Sequence, residues 1–247
     1  MSGRADKVWL AGVDGCPAGW IAAFVRPAGD EGAVAVFAQF ADVLEAPQAP
    51  VVVAVDVPIG LPERSGPKGR AAERAVRPLL GGRQSSVFSV PSRATIEATD
   101  YTSACQAALK TSEPPRKVSK QLFNIAPKIR EVDAVLRADP ALANRVFEVH
   151  PELAFWRLNG ERALDEPKKV KNRPYPPGLA LRRGLLRAAR LPAALIDAGP
   201  PKGAAEDDLL DALACAAVAR RLYAGNAKPF PDQPPRDPFG LPMAIWA

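Results

Sequence analysis

The chain predicts an α/β domain built on one mixed β-sheet, and three observations predict it. Three apolar runs lie before residue 40 with only short turns between them, which reads as an antiparallel meander. The run "VVVAVDVPIGLP" (51–62) is continuous and β-branched, the pattern of a central strand covered on both faces. From residue 117 onward, helical and strand patterns alternate.

The elements follow in order. Residues 7–14, 19–26 and 33–39 are the three strands of the meander, and a short helix is expected at 40–46. Residues 63–115 are rich in Arg, Gly, Ser and Pro and read as an insertion of short helices and loops. Over 117–138, Leu122, Ile125, Ile129, Val132 and Leu136 recur at helical spacing, with Pro127 expected to kink or split the helix. "RVFEVH" (145–150) is a short strand, and Pro151 suits the first turn of the helix after it. Residues 176–189 and 204–225 are helical, the second closed by Gly225. The tail from 226 is proline-rich and irregular, with an apolar end that packs back on the body. The whole of 1–247 reads as a single domain.

Composition narrows the function classes. With 247 residues, 47% of them apolar, the chain can bury one sizeable core. A formal charge of +6 favours a polyanionic partner over an acidic one, although a merely basic surface gives the same count. Cys16, Cys105 and Cys215 are too scattered for a disulfide framework or a zinc site. No apolar run reaches the roughly 18 residues of a membrane span, and the first ten residues lack a signal-peptide core. A reduced, cytoplasmic protein with no membrane partner is expected, and the residues leave monomer and homodimer open.

The chemistry is carried by acids in apolar surroundings. Asp14 ends the first strand in "VWLAGVDGCPAGW", and Asp56 ends the central one. A carboxylate in such a run costs free energy unless it is paired or binds a cation. In "EDDLLDALACA", Asp208 and Asp211 share a helical face, and Asp207 can take the place of Asp208. Asp207 and Asp208 also suit a helix N-terminus for its dipole alone; Asp211 lies too deep for that. Four carboxylates from two strands and one helix suit two Mg²⁺ or Mn²⁺ ions. Such a pair activates water and stabilises a leaving oxygen without a catalytic Ser, Cys or His, in keeping with a chain that has one histidine.

Six pieces, "GVDGCPAGW", "AVDVPIGLP", "SSVFSVPSR", "SKQLFNIAPKIREVD", "FEVHPELAF" and "EDDLLDALACAAVA", occur in the order seen in domain-of-unknown-function family 429, predicted nucleases of the RNase H-like superfamily. The chain resembles that family over most of its length. The resemblance implies a five-stranded mixed sheet in order 3-2-1-4-5, the first three strands antiparallel, with helices on both faces. The last helix is also similar to the D-x-x-D-A-L-A signature of Holliday-junction resolvases. That similarity implies Asp14, Asp56, Asp208 and Asp211 as metal ligands and nucleic acid or a nucleotide as substrate. The resolvases usually carry Glu where this chain has Asp56.

Further candidates surround this set. Glu148 and His150 alternate on one strand and project to one side, as an added ligand and a proton shuttle, or simply as a strand-end pair. Ser89 and Arg93, in "SSVFSVPSR", are candidate phosphate binders. Lys117 and Lys120 are candidates for the sugar–phosphate backbone, and Lys168, Lys169, Lys171 and Arg173 form a basic loop that is otherwise solvated charge. Two other function classes share the fold. The turn "DGCPAGW" resembles the first phosphate loop of actin-like ATPases and sugar kinases, which implies a phosphotransferase. A nucleic-acid-binding protein that has lost catalysis is the other.

Overall fold

The apolar runs become the strands of one sheet. A computed structural model, describing residues 8–171 and 173–247, contains β1 (Leu10–Cys16), β2 (Gly19–Val25), β3 (Gly32–Phe37), β4 (Val52–Val55) and β5 (Val146–Glu148) in the order β3-β2-β1-β4-β5. β1–β2 and β2–β3 are antiparallel, whereas β1–β4 and β4–β5 are parallel. This is the mixed sheet and strand order expected. The central strand is shorter than the apolar run that announced it: β4 stops at Val55, and Asp56 follows its end.

Each face of the sheet carries its own helices. Leu10, Ile21, Ala23 and Ala54 face a core completed by α6 (Pro151–Leu158), α7 (Pro176–Ala188) and α9 (Glu206–Tyr223). Ala11, Val13, Ala22, Val53 and Val55 face the other core, under α1 (Phe40–Leu44) and α5 (Lys120–Ala138). Pro127 neither splits nor ends α5; the helix runs on through it, with the proline on its exposed side. Helix α9 lies directly on β1. A Cβ on Gly12 would sit 2.2 Å from the Ala212 carbonyl oxygen and 2.0 Å from the Ala216 nitrogen, so only glycine permits this approach.

The insertion forms α2 (Ala71–Val76), a 3₁₀ stretch over Arg77–Ser86, α3 (Arg93–Glu97) and α4 (Tyr101–Thr111). After α6, a two-residue ladder pairs β6 (Lys169–Val170) with β7 (Arg173–Pro174), and α8 (Ala193–Asp197) precedes α9; neither was anticipated. The tail does pack back: β8 (Pro229–Phe230) pairs with β9 (Ile245–Trp246), and Trp246 bridges to Val149 beyond β5. Among the described residues no helix is long and apolar enough to cross a membrane.

Candidate active site

Register brings the first two acids together. Val13 pairs with Val55, and the Asp56 amide donates to the Val13 carbonyl at 2.9 Å, so Asp14 and Asp56 are neighbours at the C-terminal ends of adjacent parallel strands. Alternation turns both toward α9. The close approach at Gly12 brings that helix down beside them, and it carries Asp211 one residue before Ala212. Asp14 and Asp211 are buried, at 8% and 2% exposed, and Asp56 is half-buried.

Electrostatics shows the three acids to be one set. Burial, then repulsion from Asp56 and Asp211, pushes the Asp14 carboxyl well above the usual range. Burial raises Asp56 to about 7 and Asp211 to about 6, and in both Lys168 pulls the other way. Burial disfavours the Lys168 charge, but Asp211 and Asp14 outweigh it and hold the ammonium protonated. Lys168 Nζ donates to Asp211 and lies 3.8 Å from Asp207, which also pairs with Lys169 at 2.7 Å. Thus three mutually repelling carboxylates share one lysine, itself 32% exposed at the mouth of the site.

Asp207 and Asp208 take different partners. Asp207 is buried and takes both lysines, whereas Asp208 is half-buried and accepts the Ala205 amide at 2.9 Å, capping its own helix. Asp208 still acts weakly on Asp14. Sequence reasoning missed three participants. Lys168 and Lys169 read as solvated loop charge, and only the chain's return over α9 brings them in. Glu152, in the first turn of α6, raises Asp56 and Asp211 by repulsion. One of its oxygens pairs with the fully buried Arg182; Oε2 is buried with no hydrogen-bond partner among the described residues.

Several expected residues are placed elsewhere. Glu148 is in register with Val55 and so faces away from α9. It accepts from Arg70 Nη1 (3.0 Å) and the Ile59 amide (2.7 Å), and Arg70 also binds Glu73 through Nε (2.8 Å). It is a structural acid, not part of the Asp14 cluster. His150 feels the charges of Glu152, Lys168 and Asp211; with Asp56 and Glu148 it lines a crevice of about 30 Å³, its Nε2 is 3.3 Å from the Ser86 carbonyl, and burial holds its pKa down. Arg93 pairs with Asp133 and, at 2.7 Å, with Asp237 from the tail, so its guanidinium is occupied within the fold. Ser89 accepts from Arg77 Nη2 at 2.9 Å, while Lys117 and Lys120 are exposed and apart from the acids.

Among the described residues no three His, Cys, Asp or Glu side chains are grouped closely enough to hold a metal ion as they stand. In kind, the set suits a hard divalent cation: every acidic donor is oxygen, the cluster is under-neutralised, and Glu152 Oε2 is unpartnered. Lys168 is the cation these acids now share. The family model described as "Protein of unknown function (DUF429)" matches residues 12–236. The chain belongs to the DUF429 family. The match spans both strand-end acids and all of α9, so the whole acid cluster lies inside the family's shared region. No curated protein and no solved structure matches the chain.

Proposed function

We propose that this DUF429 protein is a metal-dependent phosphodiesterase of RNase H-like fold, acting on nucleic acid or a nucleotide. One observation carries the reading: three carboxylates from β1, the end of β4 and α9 converge with only a half-exposed lysine among them. The strand order and the placement of helices on both faces support the fold assignment.

Asp14, Asp56 and Asp211 would hold Mg²⁺ or Mn²⁺, while Asp208 caps α9 and acts on Asp14 only weakly. Such ions lower the pKa of bound water and neutralise charge on a phosphate. The chain's own groups do the rest. Lys168 reaches in from the mouth on a flexible stem, so it can leave Asp211 for a phosphate oxygen as the acids take up a cation. Asp207 keeps Lys169 beside it. His150, whose pKa burial holds down, faces the crevice next to Asp56 and would carry a proton.

The test is cleavage of single-stranded, duplex and branched DNA and RNA by purified protein with Mn²⁺ or Mg²⁺. Cleavage is expected to vanish with chelator. It should fall more than about 100-fold in Asp14→Asn and in Asp211→Asn, beyond the loss typical of changes outside a metal's ligand set. Cleavage that survives both substitutions overturns the assignment.

A further inference from the structure

The insertion contains a cleft of about 650 Å³ whose lining includes Lys68, Arg74, Arg77, Gln84, Ser89 and Arg116 and no acid. The three arginines among the four cations are held by neutral oxygens. Arg74 donates to the Gly69 carbonyl at 2.6 Å. Arg77 donates to the Val87 carbonyl (2.8 Å), the Ser89 hydroxyl (2.9 Å) and the Lys68 carbonyl. Arg116 donates to the Gly66 carbonyl at 2.8 Å. Among the described residues none of the four forms a salt bridge, whereas Arg70, Arg93, Arg182 and Arg187 all do. Carbonyl partners fix a guanidinium in place without cancelling its charge. The cleft is therefore a rigid concentration of positive charge built to meet an anion from outside. Burial lowers the Arg77 pKa, Glu73 behind it offsets part of that, and the nearby Arg116 charge lowers it again, a repulsion that an anion between the two arginines would relieve.

We propose that this cleft binds a terminal phosphate monoester, on a free nucleotide or at the end of a nucleic-acid strand. The volume is that of a small-molecule site, too small for a duplex. A monoester carries close to two charges against one for an internal diester, which suits four unpaired cations. Phe88 adds an apolar surface to the lining.

The cleft also adjoins the acid site. Val87 and Phe88 line both the cleft and the narrow crevice that Asp56 and His150 share with Glu148 and its partner Arg70, and His150 meets the Ser86 carbonyl. An end phosphate seated here would direct the neighbouring ester toward Asp56. That last step rests on the phosphodiesterase reading; anion binding does not.

The experiment is binding in chelator, where no cleavage occurs. Titrate wild type with a short single strand bearing a 5′-phosphate, the same strand with a 5′-hydroxyl, and a nucleoside 5′-monophosphate. The phosphorylated strand should bind at least about tenfold tighter than the hydroxyl strand, the scale of one or two charge-assisted hydrogen bonds. Arg77→Gln should weaken it about tenfold. Arg74→Glu, at an exposed position that leaves the fold intact, should weaken it at least as much, with unchanged circular dichroism. A monophosphate binding as tightly as the strand identifies a free nucleotide as ligand; a tighter strand identifies a strand end. Equal affinity for phosphate and hydroxyl ends, or affinity untouched by both substitutions, overturns the proposal. Failed binding therefore removes the cleft, whereas failed cleavage alone removes only the hydrolase.

Discussion

Two buried acid clusters lie one register position apart on neighbouring strands, and they are solved in opposite ways. Glu148 pairs across the sheet with Val55, and Asp56 is the next residue along. On the Glu148 side, two carboxylates meet Arg70, whose three guanidinium nitrogens are all engaged: with Glu73, with Glu148, and with the carbonyls of Ile59 and Gly60. Burial works against the Arg70 charge, but Glu148 and Glu73 outweigh it and keep it protonated. On the Asp56 side, three carboxylates share Lys168, a point charge on a flexible stem that reaches solvent. The same contrast recurs where Arg93 locks Asp133 to Asp237 and pins the tail to the insertion. Among the described residues arginine closes acid clusters; the one cluster left to lysine stays open to a change of partner.

The sharpest test removes the cation from each cluster. Arg70→Met strands two buried carboxylates and should cost about 3–5 kcal/mol, the penalty for breaking a buried pair. In a protein of this size that lowers Tm by roughly 10 °C. Lys168→Met should cost no more than about 1 kcal/mol, because the lysine is itself partly exposed at the mouth and the buried acids it leaves can bind protons instead. Equal losses in urea unfolding would break the comparison.

Next in size is a difference of sign. Asp56→Asn removes one of three repelling charges and should raise Tm in chelator by a few degrees, on the order of 1 kcal/mol. Glu73→Gln should do the reverse, by about 1–3 kcal/mol, because Glu73 accepts both the Arg70 amide (2.6 Å) and Nε (2.8 Å), and an amide cannot accept both sets. Differential scanning calorimetry decides; two losses would mean the Asp56 cluster is as satisfied as the other. Mn²⁺ should then raise the wild-type Tm and leave Asp56→Asn nearly unmoved.

What the sequence made legible follows from this contrast. Asp14, Asp56 and Asp211 stand out because each interrupts an apolar run, and burial with an unmet charge is the property that makes a site. The strand runs were legible for the same reason, although β4 is only four residues long and the rest of its apolar run continues as covered loop. Glu148 interrupts an apolar run too. Its face is set by pairing with Val55, and no local pattern reveals that register. Its partner Arg70 lies 78 residues away, so the pair left no spacing signal. Lys168 was hidden for the opposite reason: a lysine in a basic loop is ordinary until the chain folds back over α9. Asp207 and Asp208 differ by about 100° around the helix, and only the position of the loop lysines tells the inward acid from the cap.

The smallest expected effect separates the clusters by pH. Burial lifts Glu148 to about 7 against the pull of Arg70, above the 4.5 of an ordinary glutamate. Between those values the folded protein keeps a proton that the unfolded chain releases. Its contribution to stability is therefore complete below about pH 4.5 and is lost as pH rises through 7. Urea-unfolding free energies measured from pH 6 to 8 should fall more steeply in wild type than in Glu148→Gln, by on the order of 1 kcal/mol over that range. Glutamine cannot titrate, so the constant cost of disturbing Arg70 cancels from the slopes. Parallel curves would mean that Arg70 holds Glu148 ionised throughout. The closed cluster would then be charge-balanced more completely than its burial implies, and the acids around Lys168 would stand alone in carrying protons near neutral pH.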